Sequence, residues 1–85
     1  MHRATDQFWQ RYHDLPKDVR DRADKSFALL KANPHHPSLQ LKKVGGVWSA
    51  RVDLVHRALA VEDGKDFIWV WIGAHDEYER ILKGQ

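Results

Sequence analysis

The stretch Leu39-Gln40-Leu41-Lys42-Lys43-Val44-Gly45-Gly46-Val47-Trp48-Ser49-Ala50-Arg51-Val52 decides the fold. Leu39, Leu41 and Val44 alternate with Gln40 and Lys42, two glycines follow, and an extended pattern resumes over residues 47–52. Alternation at period two marks a strand with one buried face, and Gly-Gly between two such runs marks a hairpin turn. Downstream, residues 56–61 and 67–73 form a second strand pair around Glu62-Asp63-Gly64-Lys65, where Asp-Gly is a turn signal. The run Phe67-Ile68-Trp69-Val70-Trp71-Ile72 is apolar on both faces, which predicts a strand inside the sheet with helices on one side.

Upstream the period changes. Between Thr5 and about His13, with Leu15 beyond, the apolar residues Phe8, Tyr12 and Leu15 recur at four- and three-residue spacing, flanked by Trp9, as one stripe of a helix that Thr5 or Asp6 caps. Pro16 breaks it and opens a second helix, in which Val19, Ala23, Phe27 and Leu30 share a face while Asp18, Arg20, Asp21, Arg22, Asp24 and Lys25 meet water. Asn33-Pro34 and Pro37 stop that helix, since proline lacks an amide donor and disfavours helical geometry in the residue before it. At the far end His75 starts a short helix, with Asp76, Glu77 and Glu79 in its electropositive first turn, Tyr78, Ile81 and Leu82 for contacts, and Lys83-Gly84 to close it. The expected class is α+β: a helical hairpin, about four antiparallel strands and a short C-terminal helix, in a single domain over residues 1–85.

Eighty-five residues suffice for one compact domain and not for two. With 42% hydrophobic and 31% charged residues the composition is that of a folding chain. The longest apolar run has six residues, against about 20 for a membrane helix, and no leader pattern opens the chain. No membrane partner is expected, and a cytoplasmic address is the default. The absence of cysteine excludes disulfides, cysteine-ligated metals and thiol chemistry. Net charge is only +2, but its distribution is uneven: residues 27–60 hold five basic and one acidic side chain, whereas residues 61–85 hold three basic and six acidic. His35, His36 and His56 add to that basic island when protonated.

Metal motifs are missing. His35 and His36 are adjacent and point apart in an extended segment, and His75-Asp76-Glu77-Tyr78 lacks the second histidine of a zincin helix. No serine sits in a nucleophile elbow and no glycine-rich loop precedes a helix. No metal or cofactor is expected. What remains is a set of cations with one imidazole and one phenol. A turn at about Asp53-Leu54-Val55 places Arg51 and Arg57 on neighbouring antiparallel strands, and three-residue helical spacing puts His75 and Tyr78 on one side of the last helix. Internal RNA cleavage needs a group to take the 2′-hydroxyl proton, a group to return a proton to the 5′-oxygen, and fixed cations for the phosphorane between. Arg51, Arg57, His75 and Tyr78 are of those types. The same residues also fit structural roles, with His75 as a helix-end residue, Tyr78 at a core rim, and the arginines paired with Asp53, Glu62 or Asp63.

The order of motifs resembles the RelE/ParE superfamily of toxins from bacterial type II toxin–antitoxin modules. The carrying features are Phe8-Trp9-x-x-Tyr12-x-x-Leu15-Pro16, Asn33-Pro34-x-x-Pro37-Ser38-Leu39, Leu41-Lys42-Lys43-Val44, Trp48-Ser49-x-Arg51-Val52, His56-Arg57-Ala58 and Trp69-x-Trp71-Ile72-Gly73-x-His75-x-x-Tyr78. The resemblance implies a RelE-like twisted sheet and a ribosome-dependent, metal-independent mRNA endoribonuclease that represses translation. It implies that Arg51 and Arg57 grip phosphate, that His75 is a general acid or base, that Tyr78 stacks or assists proton transfer, and that Lys42 and Lys43 anchor RNA. Its partners would be the ribosome, mRNA and a cognate antitoxin, which would cover the basic island and a sheet edge in a hetero-oligomer. Such proteins usually begin with an edge strand; here only Met1 to Ala4 precede the first helix, so that strand is expected to be very short or absent. The superfamily also holds ParE-like binding toxins that inhibit DNA gyrase, and non-toxic RNA- or protein-interaction domains; fold alone does not choose among them.

Overall fold

The computed structural model describes residues 2–83. In chain order the elements are β1 (His2–Ala4), α1 (Asp6–His13), α2 (Lys17–Ala32), a 3-10 turn (Pro37–Leu39), β2 (Lys42–Val44), β3 (Val47–Arg51), β4 (His56–Asp63), β5 (Asp66–Ala74) and α3 (His75–Lys83). Gly84, the expected end of the last helix, lies outside the described residues. The strands form one sheet in the order β1-β5-β4-β3-β2.

Both expected hairpins are present. Gly45 and Gly46 take φ of +57° and +88°, the left-handed conformation that a two-residue loop between Val44 and Val47 demands at both positions. Gly64, at φ +63°, turns β4 into β5. One bulge between Leu59 and Ala60 shifts the register of that pair.

The structure departs from the sequence expectation at two places. The sheet has five strands and is mixed, because His2, Arg3 and Ala4 pair in parallel with Phe67, Ile68 and Trp69. Three residues carry too little periodicity to announce a strand; long-range contacts hold this one. The Thr5 amide continues the ladder to the Trp69 carbonyl at 3.0 Å, and the Trp69 indole donates to His2 Nδ1 at 3.2 Å. Burial, with nearby positive charge, holds His2 below the usual imidazole range, consistent with a neutral ring that accepts that bond. Secondly, Leu39 is buried as expected but sits in the 3-10 turn and not in a strand. Pro37 opens that turn, His36 Nδ1 accepts from the Ser38 amide at 3.2 Å, and Gln40 leaves it with a left-handed φ of +45°.

The helical hairpin packs on one face. Thr5 caps α1 by accepting from the Phe8 amide at 3.1 Å, and the stripe Phe8, Tyr12 and Leu15 turns inward. The Tyr12 hydroxyl donates to Asp24 at 2.6 Å, joining α1 to α2 and raising the phenol above its ordinary range. Beneath lie Leu30 and Ala23 of α2, and Ala50, Ala58, Ala60, Trp69 and Ile72 of the sheet. The three alanines are small enough for the helices to sit close to β3 and β4, while Trp69 and Ile72 fill the space over β5.

Alternation assigns the opposite face. Residues out of phase with Ala50, Ala58 and Ile72 form two cross-strand rows, Ser49–Leu59–Trp71 and Arg51–Arg57–Gly73. The second row holds the two arginines.

Ile72 is 1% exposed at the centre of the helix-side core. Ile72→Ala is expected to cost about 2–5 kcal/mol in urea unfolding, and Ile72→Val about 1 kcal/mol. Equal midpoints for both variants and the parent would contradict this core assignment.

Candidate nucleic-acid interface

The turn between β3 and β4 organises the candidate site. Asp53 Oδ1 accepts from the amides of Val55 and His56, each at 2.8 Å, and lies 3.0 Å from His56 Nδ1. Its other oxygen lies 3.3 Å from Arg22 Nη1 of α2. Burial alone pushes this carboxyl up, but the Val55 amide, the His56 ring and Arg22 together outweigh it and hold Asp53 below the usual carboxylate range. The Asp53 carbonyl in turn accepts from Arg57 Nη1 at 2.6 Å, and the same nitrogen donates to the His56 carbonyl at 2.9 Å.

That turn also reaches the start of α3, because the His75 amide donates to the Val55 carbonyl at 2.7 Å. One short loop therefore ties together the strand ends bearing Arg51 and Arg57 and the helix bearing His75.

The candidate residues fall into three groups. Arg51 and Arg57 are direct cross-strand partners on one face, and Arg51 has no ion pair or side-chain hydrogen bond among the described residues. Side by side they form a double cation on the face opposite the helical hairpin, with Arg57 alone held by side-chain hydrogen bonds. His75 is partly exposed, with Nε2 3.5 Å from Glu79 and its ring 5.5 Å from that of Tyr78. The Tyr78 side chain is buried, and its hydroxyl has no hydrogen bond among the described residues. The imidazole and phenol thus meet, as the three-residue spacing required. Lys42 and Lys43 part company: Lys42 pairs with Ser49 and shares the face of Arg51, whereas Lys43 pairs with Trp48 on the other face and lies 3.6 Å from Glu62. The Trp48 indole also donates to Glu62, which with Lys43 keeps that carboxyl below its usual range.

Three further residues gather at the site. The sequence offers Asp53 as a turn residue and a partner for the arginines, and His56 as part of the basic island and the start of the next strand, and it gives neither a place in the site. Arg11, on the last turn of α1, donates through Nε to the Ile72 carbonyl at 2.8 Å, and its Nη2 lies 2.9 Å from Glu77. Glycine at position 73 was the available signal, since its missing side chain makes room for this arginine. Among the described residues no group of three His, Asp or Glu side chains gathers to hold a metal ion.

No protein-family model matches the sequence, and no curated protein matches it significantly. Solved structures do. The RelB-RelE antitoxin–toxin complex from Methanococcus jannaschii matches with a TM-score of 0.74 at 12% identity, over 94% of this chain and 98% of that one. YafQ from E. coli strain BL21(DE3) matches with a TM-score of 0.73 at 14% identity, over 92% and 96%. A YoeB/ParE toxin from Agrobacterium tumefaciens matches with a TM-score of 0.67 at 16% identity, over 87% and 96%. The fold is therefore that of the RelE/ParE-type toxins.

Because Asp53 is held below its unfolded carboxyl value, about 3.9, it contributes stability above that pH, which is lost as pH falls through its folded value. Asp53→Asn is expected to lower stability at neutral pH by about 1–3 kcal/mol and to flatten the fall in stability below about pH 4. Urea unfolding followed from pH 7 to pH 3 tests this; parallel curves for parent and variant would contradict it.

Proposed function

We propose that the protein is the toxin of a type II toxin–antitoxin module, acting in the cytoplasm as a ribosome-dependent endoribonuclease that represses translation. The observation that carries this is the Arg51–Arg57 pair, joined through the Asp53 turn to His75 and Tyr78, on a fold shared with RelE- and YafQ-type proteins. One of the matching structures is an antitoxin–toxin complex, which supports a cognate antitoxin as partner here. The antitoxin would lie over the open face and the short, lysine-bearing edge strand β2, with toxin and antitoxin together in a hetero-oligomer.

In this mechanism the 2′-oxygen attacks the adjacent phosphorus while the 5′-oxygen leaves, giving a cyclic phosphate and a free 5′-hydroxyl. The two guanidinium groups stabilise the dianionic phosphorane, and Arg57 is already oriented by its bonds to the Asp53 and His56 carbonyls. His75 moves the proton at one of the two oxygens, and the Tyr78 hydroxyl assists it; the buried Tyr78 ring is not placed to stack on a base. Lys42 extends the cationic face along β2 toward RNA backbone, and Lys43 adds charge at the same edge once it exchanges Glu62 for phosphate. Glu77 does not cancel this field in full, because it already faces the Arg11 guanidinium.

Expression of the protein in growing cells is expected to arrest translation and leave cuts in ribosome-bound messages. Arg57→Ala and His75→Gln should each reduce cutting about 100-fold or more while both variants remain folded, Arg57→Ala with a somewhat lower melting temperature because its bonds to the Asp53 and His56 carbonyls are lost. Cuts that persist in both variants would exclude this site, DNA breaks with intact messages would indicate a gyrase poison, and unimpaired growth would indicate a non-toxic binding domain.

A further inference from the structure

The row Arg51–Arg57–Gly73 crosses β3, β4 and β5, yet its third position has no side chain. Another element fills that place. An ideal Cβ on Gly73 would lie 2.9 Å from Arg11 Nη2 and 2.7 Å from Trp71 Cζ2. The Arg11 guanidinium therefore sits over Gly73 on the face that carries Arg51 and Arg57, with its centre 5.0 Å from the Trp71 ring. It arrives there around the edge of the sheet. β1 pairs only with Phe67, Ile68 and Trp69, so at Ile72 the edge of β5 turned away from β4 has no strand partner, and Arg11 Nε occupies the Ile72 carbonyl instead.

Two interactions orient this guanidinium without exhausting it. Of its five N–H groups, one is given to Ile72 and one to Glu77, and three have no partner among the described residues. Its side chain is 38% exposed. Strands lie about 4.8 Å apart, so the three cationic positions span about 10 Å in a line across the sheet. A line of guanidinium groups beside an indole suits single-stranded nucleic acid, whose backbone takes the cations and whose unstacked bases take the aromatic face.

We propose that Arg11 and Trp71, meeting over Gly73, form the third position of this row and bind one phosphate and one stacked base of the RNA strand. The inference rests on the ribonuclease reading and extends its substrate contacts to α1. Glu77 is the placeholder: in the free protein its carboxylate takes the outward N–H of Arg11, and a phosphate oxygen replaces it when RNA binds. A side chain at position 73 would push both Arg11 and Trp71 out of the row.

The test uses the purified full chain and a labelled single-stranded RNA oligonucleotide of mixed sequence, titrated by fluorescence anisotropy at several salt concentrations. Arg11→Gln is expected to weaken binding about 5- to 20-fold and to lower the salt slope by about 0.7, the loss of one phosphate contact on a single strand. Arg11→Lys should keep the slope while losing part of the affinity, because charge survives and the fork does not. Glu77→Gln should tighten binding several-fold, and that gain should vanish in the Arg11→Gln background. A fall in melting temperature for Arg11→Gln with parental affinity and slope, or a Glu77→Gln gain that survives without Arg11, would overturn the inference while leaving the ribonuclease reading intact. A parent that does not bind the oligonucleotide would overturn the inference, and one that also leaves ribosome-bound messages uncut in cells would overturn both.

Discussion

The pairing of β3 with β4 at the Asp53 turn is the constraint on which the rest of the structure depends. Side chains alternate along a strand, so a one-residue slip would send Ala50 and Ala58 to the open face and bring Arg51 and Arg57 under the helices. Asp53 prevents that slip by holding three N–H groups on one oxygen, those of the Val55 and His56 amides and the His56 ring. The same turn presents its carbonyls to Arg57 and His75. Fold and site therefore share one anchor, and the core alanines on one face and the arginine row on the other are two consequences of one register.

Much of this arrangement is legible in the sequence because it is local. The glycine pair at 45–46, the Asp-Gly turn, the Phe8–Tyr12–Leu15 stripe and the doubly apolar run at 67–72 each state their geometry within a few residues. The adjacency of Arg51 and Arg57 followed from the length of the turn between them. β1 was not legible, since what stabilises it is the far-off edge of β5 and the Trp69 indole. Leu39 misled because a buried leucine alternating with polar neighbours fits a 3-10 turn as well as a strand, and Pro37 decided between them.

The site was legible by residue type and less so by direction. Lys42 and Lys43 read as one basic segment, yet neighbouring strand residues face opposite sides, and only Lys42 joins the arginine face. Tyr78 read both as a contact residue at a core rim and as a phenol for chemistry, and its side chain is buried. Arg11 could not be found from spacing, because its place depends on an unoccupied sheet edge and on a glycine 62 positions further along the chain. A helix pointing its arginine at a strand from which a side chain has been omitted is a long-range relation, and it shows only in three dimensions.

The measurement that bears most directly on the account is an NMR titration of the arginine Nε–Hε resonances with single-stranded RNA. If the open face of the sheet is the RNA surface, the signals of Arg51 and Arg57 move together and saturate, while those of Arg3, beside Asp66, and Arg20, on α2, stay in place. Movement of Arg3 and Arg20 with Arg51 and Arg57 unchanged would place RNA elsewhere on the molecule and contradict the account.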